Sequence, residues 1–139
     1  MSIHFKTIIF CSVGLLLLFA WHFATVFGIM GSAPQTRSEF FVRFGLFMAA
    51  FLVSSAVSFF FVAKKEDGIK PDEREEQIGL RVERNSVLVL YAGMICLMWF
   101  VFTPMEPMQV ANAILGIMCV AEIFKIATGL KYLRIGTAG

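Results

Sequence analysis

The sequence predicts an all-α membrane protein, a four-transmembrane-helix bundle, and three observations lead there. Of its 139 residues, 58% are hydrophobic and only 16% are charged, against about 45–50% and about 25% in soluble domains. The apolar residues lie in long unbroken blocks, which excludes the in-and-out alternation of an outer-membrane barrel strand. Four blocks, 7–30, 40–63, 85–102 and 110–130, meet or approach the roughly 20 residues a helix needs to cross about 30 Å of hydrocarbon. The whole chain, 1–139, reads as one domain, with a charged loop and helix at 64–84 between the second and third spans.

The first span follows Lys6 and precedes Gly31-Ser32-Ala33, a small-residue stretch of the kind cut by signal peptidases. Its apolar run covers 24 residues, however, beyond the roughly 7–15 of a signal core, and Pro34 would follow the cut directly. The helix is therefore expected to be retained. His22, in its outer half, is the only histidine in any span, so haem ligation by two histidines of one chain is excluded and an interior, satisfied histidine is expected.

The second span carries Ala50, Ser54 and Ser58 at four-residue spacing, with Gly45 and Ala49 at the same interval one turn earlier. Small residues so placed let helix backbones approach closely, because lipid supplies no hydrophobic drive for helix association. This is a packing face, for the bundle or for a second copy, and a homodimer is the expected assembly. Arg43, near the outer end of this span, can snorkel to the headgroups.

Between the second and third spans the sequence reads as a loop and then a helix. Gly68 breaks the chain, Pro71 fits a first helical turn, and Asp72, Glu73, Glu75 and Glu76 set negative charge at the positive end of the helix dipole. Arg81 and Arg84 fall where this helix would meet headgroups, and it is expected to run on into the third span as one long helix. Two readings follow: a solvated helix start whose arginines bind anionic headgroups, and a docking surface of Asp72, Glu73, Arg74, Glu75 and Glu76 for a basic cytoplasmic partner. A carboxylate metal site is poor, since no His or Asn completes a shell around Asp72 and Glu76. No metal or cofactor is expected.

The string Asp72-Glu73-Arg74 with Ile78, just ahead of a span, resembles the motif of a family of small prokaryotic multi-span membrane proteins classed as a domain of unknown function. The likeness covers residues 71 to 102, and Gly79 to Val82 stand where a Lys-Ala or Arg-Ala pair is usual. It implies a multi-pass protein of a prokaryotic inner membrane and brings no activity with it.

In the fourth span Glu122 and Lys125 are three residues apart, share a helix face and can neutralise one another. Glu122 lies about 18 Å along the helix from Val110, well within the hydrocarbon. Ionisable groups at that depth are candidates for function: a structural ion pair first, a proton or cation relay second. Asn112, one turn inside the outer end, suits an interhelical hydrogen bond. Cys11, Cys96 and Cys119 all fall inside spans, form no Cys-x-x-Cys pair and read as small buried apolar residues.

Charge sets the expected orientation. Nine Lys and Arg fall on the side of the termini and the 64–84 segment, against Arg37 and Arg43 opposite, so both termini are expected inside. The external connections, 31–39 and 103–109, are short and contain Pro34, Pro104 and Pro107, which suit tight turns. The formal net charge of +2, without a basic stripe interleaved with aromatics, argues against nucleic acid. Three function classes are ranked. A membrane scaffold or regulator acting through the charged helix on a cytoplasmic or membrane protein partner comes first. A proton- or cation-coupled transporter using Glu122 comes second, although small multidrug exporters of similar size keep their essential Glu in the first span, where 7–30 has no carboxylate. A membrane enzyme comes last, since paired reactive cysteines are missing.

Overall fold

A computed structural model describes residues 3–63 and 73–137. Four helices follow in order: α1 (Ile3–Val26), α2 (Arg37–Ala63), α3 (Glu73–Trp99) and α4 (Pro107–Thr137), with a 3-10 turn at Phe100–Phe102 closing α3. Each holds a stretch long and apolar enough to cross a membrane: Ile8–Val26, Arg37–Val57, Glu76–Trp99 and Pro107–Tyr132. The helices pair as two compact hairpins, α1 with α2 and α3 with α4. α3 runs unbroken from its charged start into the apolar stretch, while residues 64–72, among them Gly68, Pro71 and Asp72, lie outside the described residues.

The helix ends differ from the spans expected from apolar runs, and each difference has a chemical cause. α1 stops at Val26, short of Met30, because Gly28 takes the left-handed conformation (φ 73°). The Gly28 amide then bonds the Thr25 carbonyl at 3.2 Å and the Ile29 amide bonds that of Ala24 at 2.8 Å. This paired closure satisfies carbonyls that would otherwise be orphaned. α2 starts at Arg37, ahead of Phe40, because Thr36-Arg37-Ser38-Glu39 is a capping box. The Glu39 amide donates to Thr36 Oγ1 at 3.2 Å, while Glu39 Oε2 accepts from the Gln35 and Thr36 amides at 2.8 and 3.3 Å. α4 starts at Pro107 and not at Val110: proline fits the first helical position, and the Glu106 amide reaches back to Gln109 Oε1 at 3.2 Å. Pro107 thus opens a helix and does not shape the turn before it.

In the first hairpin, α1 turns Ser12, Phe19, His22 and Thr25 inward, all at most 4% exposed. α2 answers with Phe40, Arg43, Phe47, Ala50, Ser54 and Val57, a three-and-four spacing of buried and half-buried positions along one side. The Phe19 and Phe47 rings lie 4.9 Å apart. Ala50 and Ser54 therefore sit on the α1 side of α2. Gly45 and Ala49 are exposed on the other side, so they are not part of the same packing face; the Ser58 side chain is outside the described residues.

In the second hairpin the closest approach is at Gly93. A β-carbon there would lie 2.4 Å from Ile117 Cγ2 and 3.0 Å from its Cγ1. Isoleucine is branched at Cβ and stiff at χ1, so its methyl cannot swing aside cheaply. Around this point Val82 and Ser86 of α3 and Leu115, Ala121 and Gly129 of α4 are buried, and the Ser86 hydroxyl donates to the Ala121 carbonyl at 3.4 Å. Outside both seams large apolar side chains are bare, Phe10 at 79% and Phe102 at 93% exposed among them. An apolar surface of that extent demands lipid or further helices around it.

Gly93→Ala is expected to destabilise the second hairpin by about 1–3 kcal/mol, the range for forced overpacking, read as a lower thermal midpoint in detergent. Ile117→Ala in the same chain should recover part of the loss, and a double variant no better than Gly93→Ala alone would refute the clash.

Candidate functional site

Three groups of polar side chains stand out against the apolar helices, and each is built by a different local feature of the sequence. The first is in the first hairpin, where the turn after α1 brings Ser32 back toward α2. The Arg43 guanidinium donates to Thr25 Oγ1 and to the Ser32 carbonyl, the latter at 2.9 Å, and its carbon lies 4.7 Å from the centre of the Trp21 ring. The Thr25 hydroxyl in turn donates to the His22 carbonyl at 2.6 Å. Arg43 is thus folded onto α1 and the turn that follows it. One turn below, the fully buried His22 ring meets Phe23, Phe40 and Phe47 edge-on, with centroids 5.4, 6.4 and 5.7 Å away.

The second group is on α4. Lys125 Nζ lies 3.9 Å from Glu122 Oε1, at the long limit of an ion pair, with the two side chains 33% and 18% exposed. Glu122 Oε2 is buried and accepts no hydrogen bond, a condition that is uncommon and calls for a cause. Asn112 stands ten residues earlier on the same helix, about 15 Å away along its axis, with a bonding partner of its own. Of the intramembrane residues picked from the sequence, Glu122 and Lys125 are brought together on α4, and His22 belongs to the aromatic seam of the first hairpin.

The third group is the charged start of α3. Glu73, Arg74 and Glu76 are exposed on its first turns; Asp72 lies outside the described residues, as does the Glu75 side chain. Farther along, the Arg81 guanidinium lies over the Tyr132 ring of α4, 5.8 Å from its centre. Among the described residues no three His, Cys, Asp or Glu side chains converge as a metal site would require.

Two of these features escaped the reading of the sequence. The Thr36-x-x-Glu39 spacing is a legible capping signal, overlooked because hydropathy locates blocks and not their ends. The Arg43 cluster has no comparable signature, since it depends on the turn delivering the Ser32 carbonyl. No family model matches the chain, and no curated protein or solved structure is significantly similar to it.

Arg43→Gln is expected to cost about 1.5–3 kcal/mol of stability, the range for hydrogen bonds to a charged group. Thr25→Val should also destabilise, and because the two residues share one interaction, the double variant should lose less than the two single losses together. Strict additivity of thermal midpoints in detergent would disprove the coupling.

Proposed function

We propose that this chain is a small multi-pass scaffold, assembly or regulatory protein of a prokaryotic inner membrane, acting through the charged start of α3 on a basic cytoplasmic partner. In this reading the four helices form one bundle, with both termini and the 64–84 segment inside, as the excess of Lys and Arg on that side supports. The observation that carries the reading is the continuity of α3. Exposed Glu73, Glu76 and Glu83 stand on the same rigid element that buries Val82 and Ser86 against α4, so a partner bound at the acidic turns pulls directly on a membrane-embedded seam. The resemblance of Asp72-Glu73-Arg74 to the motif of an unassigned family adds no activity, and the proposal rests on the charges themselves. Charge reversal at Glu73, Glu75 and Glu76 should abolish co-purification of a protein partner from mild detergent while leaving insertion unchanged. A partner retained through the reversal would refute the docking role.

A second reading is favoured by one observation, the buried Glu122 Oε2 without a hydrogen bond. A buried carboxylate oxygen without a hydrogen bond, with a lysine at the limit of ion-pairing distance beside it, supports a site for a transported proton or small cation at membrane depth. A chain of this kind would serve as a coupled transporter, with a homodimer as its working unit. Glu122→Gln should then insert and fold yet lose proton-coupled flux in proteoliposomes. Unchanged flux would end the transport reading, and a lower thermal midpoint partly restored by Lys125→Met would identify the pair as structural.

A further inference from the structure

The charges at the start of α3 segregate by face. An α-helix turns about 100° per residue, so residues seven apart differ by only about 20°. Arg74 and Arg81 are seven apart, and so are Glu76 and Glu83. The two pairs lie about 160° from each other around the helix, since Arg81 and Glu83 are two residues apart. Val82 and Ser86, buried against α4, point between these flanks. One flank of the seam is therefore basic and the other acidic. Arg84, exposed and one turn beyond Arg81, is turned about 60° from it, toward the side away from Val82 and Ser86.

The basic flank meets α4 at a defined level. Tyr132 ends the apolar stretch Pro107–Tyr132, and Lys131 beside it is exposed. On α3 the charged residues end at Arg84, and none follows before Trp99. The apolar-to-polar boundaries of the two helices thus coincide where Arg81 lies over the Tyr132 ring. The cation–π contact with the aromatic face restrains the guanidinium, whose planar fork of N–H groups can present two parallel donors to a tetrahedral oxyanion. Among the described residues Arg81 is in no ion pair, and the carboxylates that could neutralise it along its own helix, Glu76 and Glu83, are on the opposite flank.

From this juxtaposition we propose that Arg81, stacked on Tyr132 and joined by Arg84 and Lys131, binds the phosphate of an anionic phospholipid headgroup at the charged end of the α3–α4 hairpin. Two conditions select a lipid over a soluble phosphate. The donors stand at the level where the apolar stretches end, so acyl chains can continue along the exposed apolar faces of α3 and α4. Three cations also favour a net-negative headgroup over a zwitterionic one, whose own ammonium would be repelled. The site is independent of the protein partner assigned to the acidic flank, and its failure would leave that reading intact.

The test uses the full chain in a neutral detergent, titrated with phosphatidylglycerol, phosphatidylcholine or inorganic phosphate, with retained lipid read by native mass spectrometry and stability by the thermal midpoint. Phosphatidylglycerol should bind and raise the midpoint, while phosphatidylcholine and inorganic phosphate at the same concentration should not. Arg81→Gln should weaken phosphatidylglycerol binding about tenfold, the equivalent of about 1.4 kcal/mol. Arg81→Lys should keep part of the affinity, since it retains charge without the planar fork. Arg37→Gln, an exposed cation of the first hairpin, should change nothing. Equal loss in Arg37→Gln would reduce the effect to diffuse charge and overturn the site, as would undiminished binding in Arg81→Gln. A midpoint shift with inorganic phosphate equal to that with phosphatidylglycerol would overturn the assignment to lipid.

Discussion

Backbone amides and carbonyls in segments this apolar have no water to bond, so each must find its partner along its own helix. That demand accounts for the four long helices, and it falls hardest on their ends, where four amides or four carbonyls have no intrahelical partner. The chain meets it with three different devices. Gly28 closes α1 by folding two amides back onto carbonyls of the last turn, Glu39 and Thr36 cap one another at α2, and Pro107 opens α4 with a missing N–H while Gln109 serves the amide before it. Because the devices are local, these three helix ends are set before any packing occurs, and the hairpin seams inherit their register from them.

With the register set, association of the helices rests on fit. Lipid tails are as apolar as Phe or Leu, so burying a side chain between helices gains packing and not transfer energy. The two seams solve this differently. The first interlocks aromatic rings, Phe19 on Phe47 with His22 edge-on beside them; the second removes a side chain altogether at Gly93 and lets Ile117 fill the space. The polar groups inside the apolar stretches divide along the same lines. Arg43 is answered by a hydroxyl, a carbonyl and an indole face, which makes it part of the fold. Glu122 has a lysine at the limit of ion-pairing distance and a buried oxygen with nothing to accept. Of the two, Glu122 is the group whose presence packing does not explain.

How much of this was legible in the sequence depends on the range of the interaction. The four helices follow from unbroken apolar blocks, and the continuity of the charged segment with the third span follows from Pro71 and the acids after it. Helix ends are coded by residues three or four apart, and Thr36-x-x-Glu39 could have been read. The first span overshoots to Met30 because Ile29 and Met30 are apolar, yet hydropathy is blind to the backbone conformation of Gly28. Ala50 and Ser54 could be marked as small, but only the position of α1 separates them from Gly45 and Ala49. The partners of Arg43, eighteen and eleven residues back in sequence, meet it only once the turn exists.

The acidic run is the instructive case. Read linearly, Asp72-Glu73-Arg74-Glu75-Glu76 is a single cluster with an incidental arginine. Wound on a helix, Arg74 joins Arg81 on one flank while Glu76 joins Glu83 on the other, and the buried stripe through Val82 and Ser86 keeps the flanks apart. Arg81 and Glu83, about 160° apart, cannot both face the same neighbour. If its basic flank is occupied at the level of Tyr132 by phosphate, the rotation of α3 about its axis is pinned, and the acidic flank is directed away from the headgroups that would repel it. Membrane and partner would then read opposite sides of one rigid element, and displacing either contact would be felt at the seam with α4, two residues from Arg84 at Ser86 and about two turns beyond that at the Gly93 crossing.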